Sequence, residues 1–306
     1  MANITANDVK LLRERTGSGM MDCKKALVAC EGNIDEAIDW LRKKGLASAS
    51  KKAGRVAADG LVAIAGEGNC VALVELNSET DFVAKNEKFQ EFARTVVELA
   101  CDDCCDLESL KKKVYPGTDK TVEEELTNLI AIIGENMQIR RVEHVCIDDG
   151  VVATYVHNKI SDNLGKIGVA IAIDGCDCET VRNMGKQIAM HIAAANPQYL
   201  NISDIPSDVL ARERAVVSEI ARNSGKPEAV IEKMVEGRLK KFYEEVVLME
   251  QVFVVDGESK IKDIVDRVGK QCGCEISISR YVKFVLGEGI EKQEVDFAGE
   301  VAAQLK

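Results

Sequence analysis

The chain has 306 residues, 46% of them hydrophobic and 30% charged, and a formal net charge of −11, which is long enough for two or three modules of ordinary size. Its apolar runs fall short of the ~18–20 residues that span a bilayer, so no membrane association is expected. The acidic balance argues against a general nucleic-acid binder, whose affinity rests on Lys and Arg neutralising phosphates.

In chain order, Met1-Ala2-Asn3-Ile4-Thr5 lacks the basic and apolar regions of a signal peptide, and a cytoplasmic location is expected. Residues 1–42 read as a compact three-helix unit. Thr5 can cap a first helix, with Asp8 in near capping-box spacing and Val9 and Leu12 facing inward. Thr16-Gly17-Ser18-Gly19 breaks that helix. Asp22 is then expected to start a second, Cys23 to Cys30, stopped by Gly32, and Asn33 to cap a third carrying Ile34, Ala37, Ile38 and Leu41 at helical spacing. Trp40 is expected to pack against these helices. Met20 and Met21 follow the Gly-x-Gly break, where periodicity does not force burial. Met is adaptable and common on binding surfaces, and packing within the head is the other reading.

Lys43 to Asp59 is rich in Ala, Ser, Gly and Lys and reads as a linker or a solvated helix. Its basic residues Lys43, Lys44, Lys51, Lys52 and Arg55 fit a solvated face or an RNA contact. Beyond it lies an internal duplication. Asp59-Gly60-Leu61-Val62-Ala63 recurs as Asp149-Gly150-Val151-Val152-Ala153, an offset of 90 positions. Each copy opens a strand pair, Leu61–Ala65 with Cys70–Leu76 and Val151–Val156 with Ile167–Ile173. Each pair precedes an amphipathic helix, near Phe89–Ala100 and Val181–Ala194. Closing strands follow, Arg141–Val145 and Arg280–Phe284, at an offset of 139, so the second copy is the longer.

The extra residues form two expected helices, Ser207–Asn223 and Pro227–Glu245, joined by Ser224-Gly225-Lys226. Pro227 suits a first helical turn, and the short connection implies an antiparallel hairpin. Such an arm has little of its own core and is expected to pack on a partner or a second copy of the chain. Asp296–Lys306 reads as a terminal amphipathic helix. The fold class is α+β: a helical head, a linker, two halves with antiparallel sheets and a helical arm.

The junction of the first half is the most distinctive stretch. Ser78-Glu79-Thr80-Asp81-Phe82-Val83-Ala84-Lys85-Asn86 takes the chain from strand to helix and sets a carboxylate beside a large aromatic. Thr or Asp there can satisfy orphan helix N–H groups. Phe82 either tucks into its own core or enters another molecule's pocket.

A reaction centre is not expected. The chain holds no P-loop, nucleophile elbow or Rossmann fingerprint. His191 lies in an apolar helix as a satisfied core residue, His144 in a strand and His157 in a hairpin loop. No cysteine is visibly paired with a base. The eleven cysteines are expected to be reduced thiols. Cys101-Asp102-Asp103-Cys104-Cys105, Cys176/Cys178 and Cys272/Cys274 invite a metal reading, but a single Cys-x-x-Cys pair is short of a zinc set. Neither metal nor cofactor is expected.

Several segments resemble the translation elongation factor Ts family. Val9-Lys10-Leu11-Leu12-Arg13-Glu14-Arg15-Thr16-Gly17-Ser18-Gly19-Met20-Met21-Asp22-Cys23-Lys24-Lys25-Ala26-Leu27 is similar to its N-terminal signature, and Thr80-Asp81-Phe82-Val83-Ala84-Lys85 to its core signature. Gly134-Glu135-Asn136-Met137-Gln138-Ile139-Arg140-Arg141, Met234-Val235-Glu236-Gly237-Arg238 and Val285-Leu286-Gly287-Glu288-Gly289-Ile290 match further motifs in order. Residues 158–166, read as a lengthened loop, and the Cys-rich stretch 101–106 depart from the pattern.

The resemblance implies a ubiquitin-associated-like (UBA-like) head with linker at 1–55 and core halves at 56–142 and 143–286. It also implies a coiled-coil hairpin inserted at about 198–245 and a C-terminal helical module at 287–306. It implies guanine-nucleotide exchange on the GTPase elongation factor Tu, with no enzymatic turnover and a homodimer through the hairpin. In that picture Phe82 enters an apolar pocket of the GTPase and Asp81 disturbs its magnesium site, with Thr80 and Val83 beside them. Arg13, Met20 and Met21 touch the GTPase from the head, and His157 supports binding from the second half. The rival readings are a UBA-type docking module and an RNA-binding translation accessory acting through the basic linker.

Overall fold

The computed structural model describes residues 4–102, 105–222 and 227–291, without the side chains of 228 and 229. The expected terminal helix at 296–306, the 224–226 connection and Cys104 lie outside the described residues. The described chain forms two compact units. One comprises the residues up to Ala63, Val74–Val142 and those from Val285 onward; the other comprises Ile64–Leu73 and Glu143–Phe284.

The head begins as its sequence dictates. Helix α1 (Ala6–Thr16) starts at a complete Thr5/Asp8 capping box and ends on Gly17 in the left-handed conformation. Helix α2 runs Met20–Ala29 from an N-cap at Gly19. It therefore starts earlier than the expected Cys23, and Asp22 sits in its first turn instead of capping it. Asn33 caps α3 through bonds from the Asp35 and Glu36 N–H groups. Leu12, Cys23, Ala26, Leu27, Ala37 and Leu41 make a small core, with Val9 and Trp40 packed against it.

The segment Lys43 to Asp59, read as a linker or a solvated helix, resolves in favour of helix over most of its length, since α3 spans Ile34–Lys52 without a break. Leu41 and Gly45 extend the buried stripe one turn beyond the head. A Cβ on Gly45 would sit 3.1 Å from the Ala131 Cβ, a close approach that a larger residue would block. Arg42 Nη2 pairs with Glu124 Oε1 at 2.6 Å across the same contact. Composition suggested a tether because Ala, Ser and Lys are common to linkers and to exposed helices.

Strands β1 (Asp59–Glu67) and β2 (Cys70–Ser78) follow, then α4 (Asp81–Ala84), α5 (Glu87–Cys101), α6 (Leu107–Lys112), α7 (Val122–Ile133) and β3 (Met137–Cys146). The second half continues with β4 (Gly150–Ser161), β5 (Leu164–Asp174), α8 (Glu179–Ala195), α9 (Ser207–Arg222), α10 (Glu228–Val246), α11 (Ile261–Cys272) and β6 (Ser277–Val285). The strands form one six-stranded sheet ordered β3-β2-β1-β5-β4, with β6 also on β5.

The repeated Asp-Gly openings do the same work twice. Gly60 and Gly150 hold φ of 122° and 141°, and a Cβ there would strike the carbonyl oxygens of Leu76 and Ile173 respectively. Each glycine lets its strand open flush against the next. A long hairpin replaces the expected 158–166 loop. β4 and β5 pair antiparallel from Gly150↔Asp174 to Ser161↔Leu164, with a register shift between Lys159 and Ser161. Asn158 and Asn163 adopt left-handed φ of 51° and 60°. Asn tolerates that region, so its presence marked a bulge and a tight turn within strands that continue.

The inserted arm leaves and returns at one place: Tyr199 and Val247 form a parallel bridge, and the Leu248 N–H donates to the Tyr199 carbonyl at 2.8 Å. Helices α9 and α10 pack on each other. In the same unit α8, α11, β4 and β5 enclose a core of Ile171, Ile173, Met184, Ile188, Ile264 and Val268 among others.

Candidate functional site

The first strand-to-helix junction folds into a single exposed turn. In α4, successive residues advance about 100° around the axis. Val83 and Ala84 each point inward at 3% exposure, while Phe82 is 75% exposed and Asp81 is exposed beside it. Val83 thus anchors the turn from below. Its side chain lies beneath the turn that presents Asp81 and Phe82.

The turn is clamped from the α7–β3 connection. Thr80 donates through its backbone N–H to Glu135 Oε2 at 2.9 Å and through Oγ1 to Glu135 Oε1 at 2.7 Å. Thr80 occupies the N-cap position without capping, because its hydroxyl is spent on Glu135. Glu79 accepts from the Asn136 N–H and pairs with Arg55 Nη1 at 3.4 Å, while Asn136 Nδ2 donates to the Arg55 carbonyl at 2.7 Å. On the far side Asn86 caps α5, accepting from the Lys88 and Phe89 N–H groups, and Gln90 Nε2 holds the Ala84 carbonyl at 2.9 Å. Lys85 Nζ lies 6.0 Å from the Phe82 ring centre, on the cation–π border. The phenyl ring is therefore held out by bonds to both flanks.

Beneath the same strand lies a buried ion cluster that the residue types alone did not signal. Glu75 is fully buried and accepts from Arg140 Nη1 at 2.9 Å, Arg141 Nε at 2.5 Å and the Gly287 N–H at 2.8 Å. Burial opposes its ionisation, but the Gly287 N–H and the two guanidinium groups outweigh that and hold the carboxyl below its ordinary value. Glu135, Arg140 and Arg141 all belong to the Gly134–Arg141 motif. That motif was the available signal; the pairings needed the fold.

In the head, Met20 and Met21 are 59% and 65% exposed, and Arg13 is exposed on α1. Packing within the head is thereby ruled out for the two Met side chains. Lys44 bridges Asp22 and the Trp40 ring, 5.4 Å from its centre, and braces the first turn of α2. In the second unit His157 lies on β4 opposite Ile167, in a strand and not a loop. It is exposed, with Nδ1 3.2 Å from the Tyr155 hydroxyl two residues back on the same strand face.

His191 is a satisfied core residue as expected. Its Nε2 meets Gln251 Oε1 at 2.9 Å and its Nδ1 accepts from the Val254 N–H at 3.3 Å. Burial holds its pKa below the ordinary value despite the Gln251 bond. The expectation of reduced thiols is overturned for Cys70, Cys146, Cys176 and Cys274, while Cys23, Cys178 and Cys272 among others keep free thiols. Cys70 is bonded to Cys146 and Cys176 to Cys274, each pair brought together from distant sequence by sheet neighbours or the β5–α8 turn. Among the described residues Cys176, Cys178 and Cys272 form a group with metal-ligand reach. No described helix is long and apolar enough to cross a membrane.

The family model described as Elongation factor TS matches residues 79–288. The chain is 56% identical to the elongation factor Ts of Rhodospirillum rubrum over 308 aligned positions, covering all of both chains. It is 55% identical to that of Rhodospirillum centenum and 50% identical to that of Bartonella bacilliformis, covering 99% of each chain in both cases.

Proposed function

The chain belongs to the elongation factor Ts family, and on that premise we propose that it is a guanine-nucleotide exchange factor for elongation factor Tu, acting through the Asp81–Phe82 turn. The observation that carries this reading is a phenyl ring 75% exposed on a turn clamped from both sides. An unbonded surface loop would let such a ring collapse onto its own chain. Here it is presented at no further ordering cost, which favours insertion into a partner's pocket.

Exchange is differential affinity. A factor that binds the nucleotide-free GTPase better than the loaded one weakens nucleotide binding by the same factor. A shift of 10⁴ requires about 5.5 kcal/mol, and burying one Phe side chain yields roughly 1.5–3 kcal/mol. Further contacts are therefore needed. Met20 and Met21 offer adaptable apolar surface, Arg13 a charge and His157 a ring with one nitrogen already oriented. Asp81 adds a negative charge where magnesium links protein to phosphate; displacing or competing with the metal's oxygen ligands loosens the nucleotide. Thr80 places that carboxylate and Val83 seats it.

The test is release of fluorescent GDP from elongation factor Tu in stopped flow. Asp81→Ala and Phe82→Ala are each expected to slow release while circular dichroism and unfolding midpoint stay unchanged. Full-rate exchange by both variants would refute the assignment. The hairpin of α9 and α10 exposes Val216, Ile220 and Val230 at 47%, 45% and 41%. We infer that it pairs with a second copy, which sedimentation of Val216→Lys/Ile220→Lys against the parent chain would check.

A further inference from the structure

The second half closes its strand-to-helix junction with sulfur. Cys176 and Cys178 lie between β5 and α8; Cys272 ends α11 and Cys274 follows it. The two Cys-x-Cys segments meet face to face, with Cys176 bonded to Cys274 and the Cys178 and Cys272 sulfur atoms 3.4 Å apart. The sulfur atoms of Cys176, Cys178 and Cys272 all lie within 4.8 Å of one another.

We propose that, with all four thiols reduced, Cys176, Cys178, Cys272 and Cys274 bind one zinc ion as a structural tetrathiolate site. Three sulfur donors already cluster, and Cys274, joined to Cys176, supplies the fourth once that bond is opened; soft thiolates suit zinc, and a closed four-cysteine set is its usual structural form. The spacing is tighter than the usual Cys-x₂₋₄-Cys, and the backbone makes up the difference. Between Cys272 and Cys274, Gly273 is left-handed at φ 70° and ends α11, so the chain turns sharply between the two cysteines. Between Cys176 and Cys178, Asp177 is drawn outward by Arg182 through two bonds of 2.6 Å, which removes its carboxylate from the sulfur face.

The segments are apposed by backbone packing that does not depend on sulfur. Gly175 has φ 117°, and a Cβ there would strike the Glu275 carbonyl oxygen. The Cys274 N–H donates to the Gly269 carbonyl at 3.2 Å, and a Cβ on Gly269 would lie 3.0 Å from the Cys274 oxygen. A ligand set held this way is organised before metal arrives. All four cysteines pack against the core of Val181, Ile264, Val268 and Ile276 yet stay part-exposed, which leaves the ion a route in.

The chemistry balances with a phosphine reductant. The phosphine attacks one sulfur of the Cys176–Cys274 bond and the S–S bond breaks. Water supplies the oxygen of the phosphine oxide and its two protons complete two thiols. Zinc then replaces four thiol protons and forms four Zn–S bonds.

The experiment uses the full chain reduced by phosphine, loaded with zinc or cobalt(II), and desalted. The expected result is one zinc per chain by elemental mass spectrometry, tetrahedral cobalt bands with strong thiolate charge transfer, and a raised unfolding midpoint. Cys178→Ser and Cys272→Ser should each lose the charge-transfer intensity and the zinc, while Cys23→Ser and Cys101→Ser retain both. Zinc uptake at parent level by Cys178→Ser and Cys272→Ser would overturn the proposal. So would a parent chain, shown by thiol titration to have its Cys176–Cys274 bond reduced, that takes up no zinc.

Discussion

Two junctions in this molecule stand at matching places and have opposite outcomes. After β2 the chain turns through Thr80–Ala84 and presents Phe82 and Asp81 to solvent, braced by Glu135. After β5 it turns through Gly175–Cys178 and closes on the end of α11 through cysteine. Gly60 and Gly150 open both halves in the same way, so the difference arises downstream of a shared strand pair. One duplicated frame can thus serve as a prong or as a staple, depending on whether the neighbouring element offers a carboxylate under the turn or thiols opposite it.

The largest expected effect comes from the support of the first junction. Glu75→Gln leaves two arginines without their buried partner and should cost about 3 kcal/mol, read as a lower denaturant midpoint at constant m. Because the folded carboxyl titrates below its ordinary value, its stabilisation is complete above the ordinary carboxylate range. It is lost as pH falls through the folded pKa. The parent chain should weaken across that acid window, and the variant should show a shallower loss.

Phe82→Ala separates prong from support. The removed burial, roughly 1.5–3 kcal/mol, corresponds to a ten- to hundredfold slower nucleotide release with no change in unfolding midpoint. A loss of stability of similar size would mean that the ring serves its own fold, and the contrast between junctions would fail. Glu135→Gln comes next. It keeps the shape of the clamp but loses one charge-assisted bond to Thr80, worth about 1 kcal/mol, and should slow release about fivefold. Unchanged release in that variant would show that the turn holds without its carboxylate.

The smallest effect belongs to the helix after the second junction. Burial makes His191 titrate below the ordinary histidine range in the folded chain. As pH falls from there the unfolded chain takes up its proton first, so stability should decline with a slope of at most one proton. His191→Gln should remove that slope in unfolding measured between neutral and mildly acidic pH.

The sequence by itself determined the caps, the repeated strand pairs, the placement of the inserted arm and the junction motif, because each rests on residues near one another in the chain. Thr5 with Asp8, Asn33, and Gly60 with Gly150 carry their own local physics. The direction of Phe82, the Glu75–Arg140–Arg141 cluster, the Glu135 clamp and the union of two Cys-x-Cys segments were decided by tertiary structure. Their partners are tens to hundreds of positions apart, and no local periodicity records which of them will meet. The same limit explains α3 and the β4–β5 hairpin: helix where composition also allowed a linker, and strand in the expected loop, are fixed by contacts with α7 and by ladder bonds, which composition does not record.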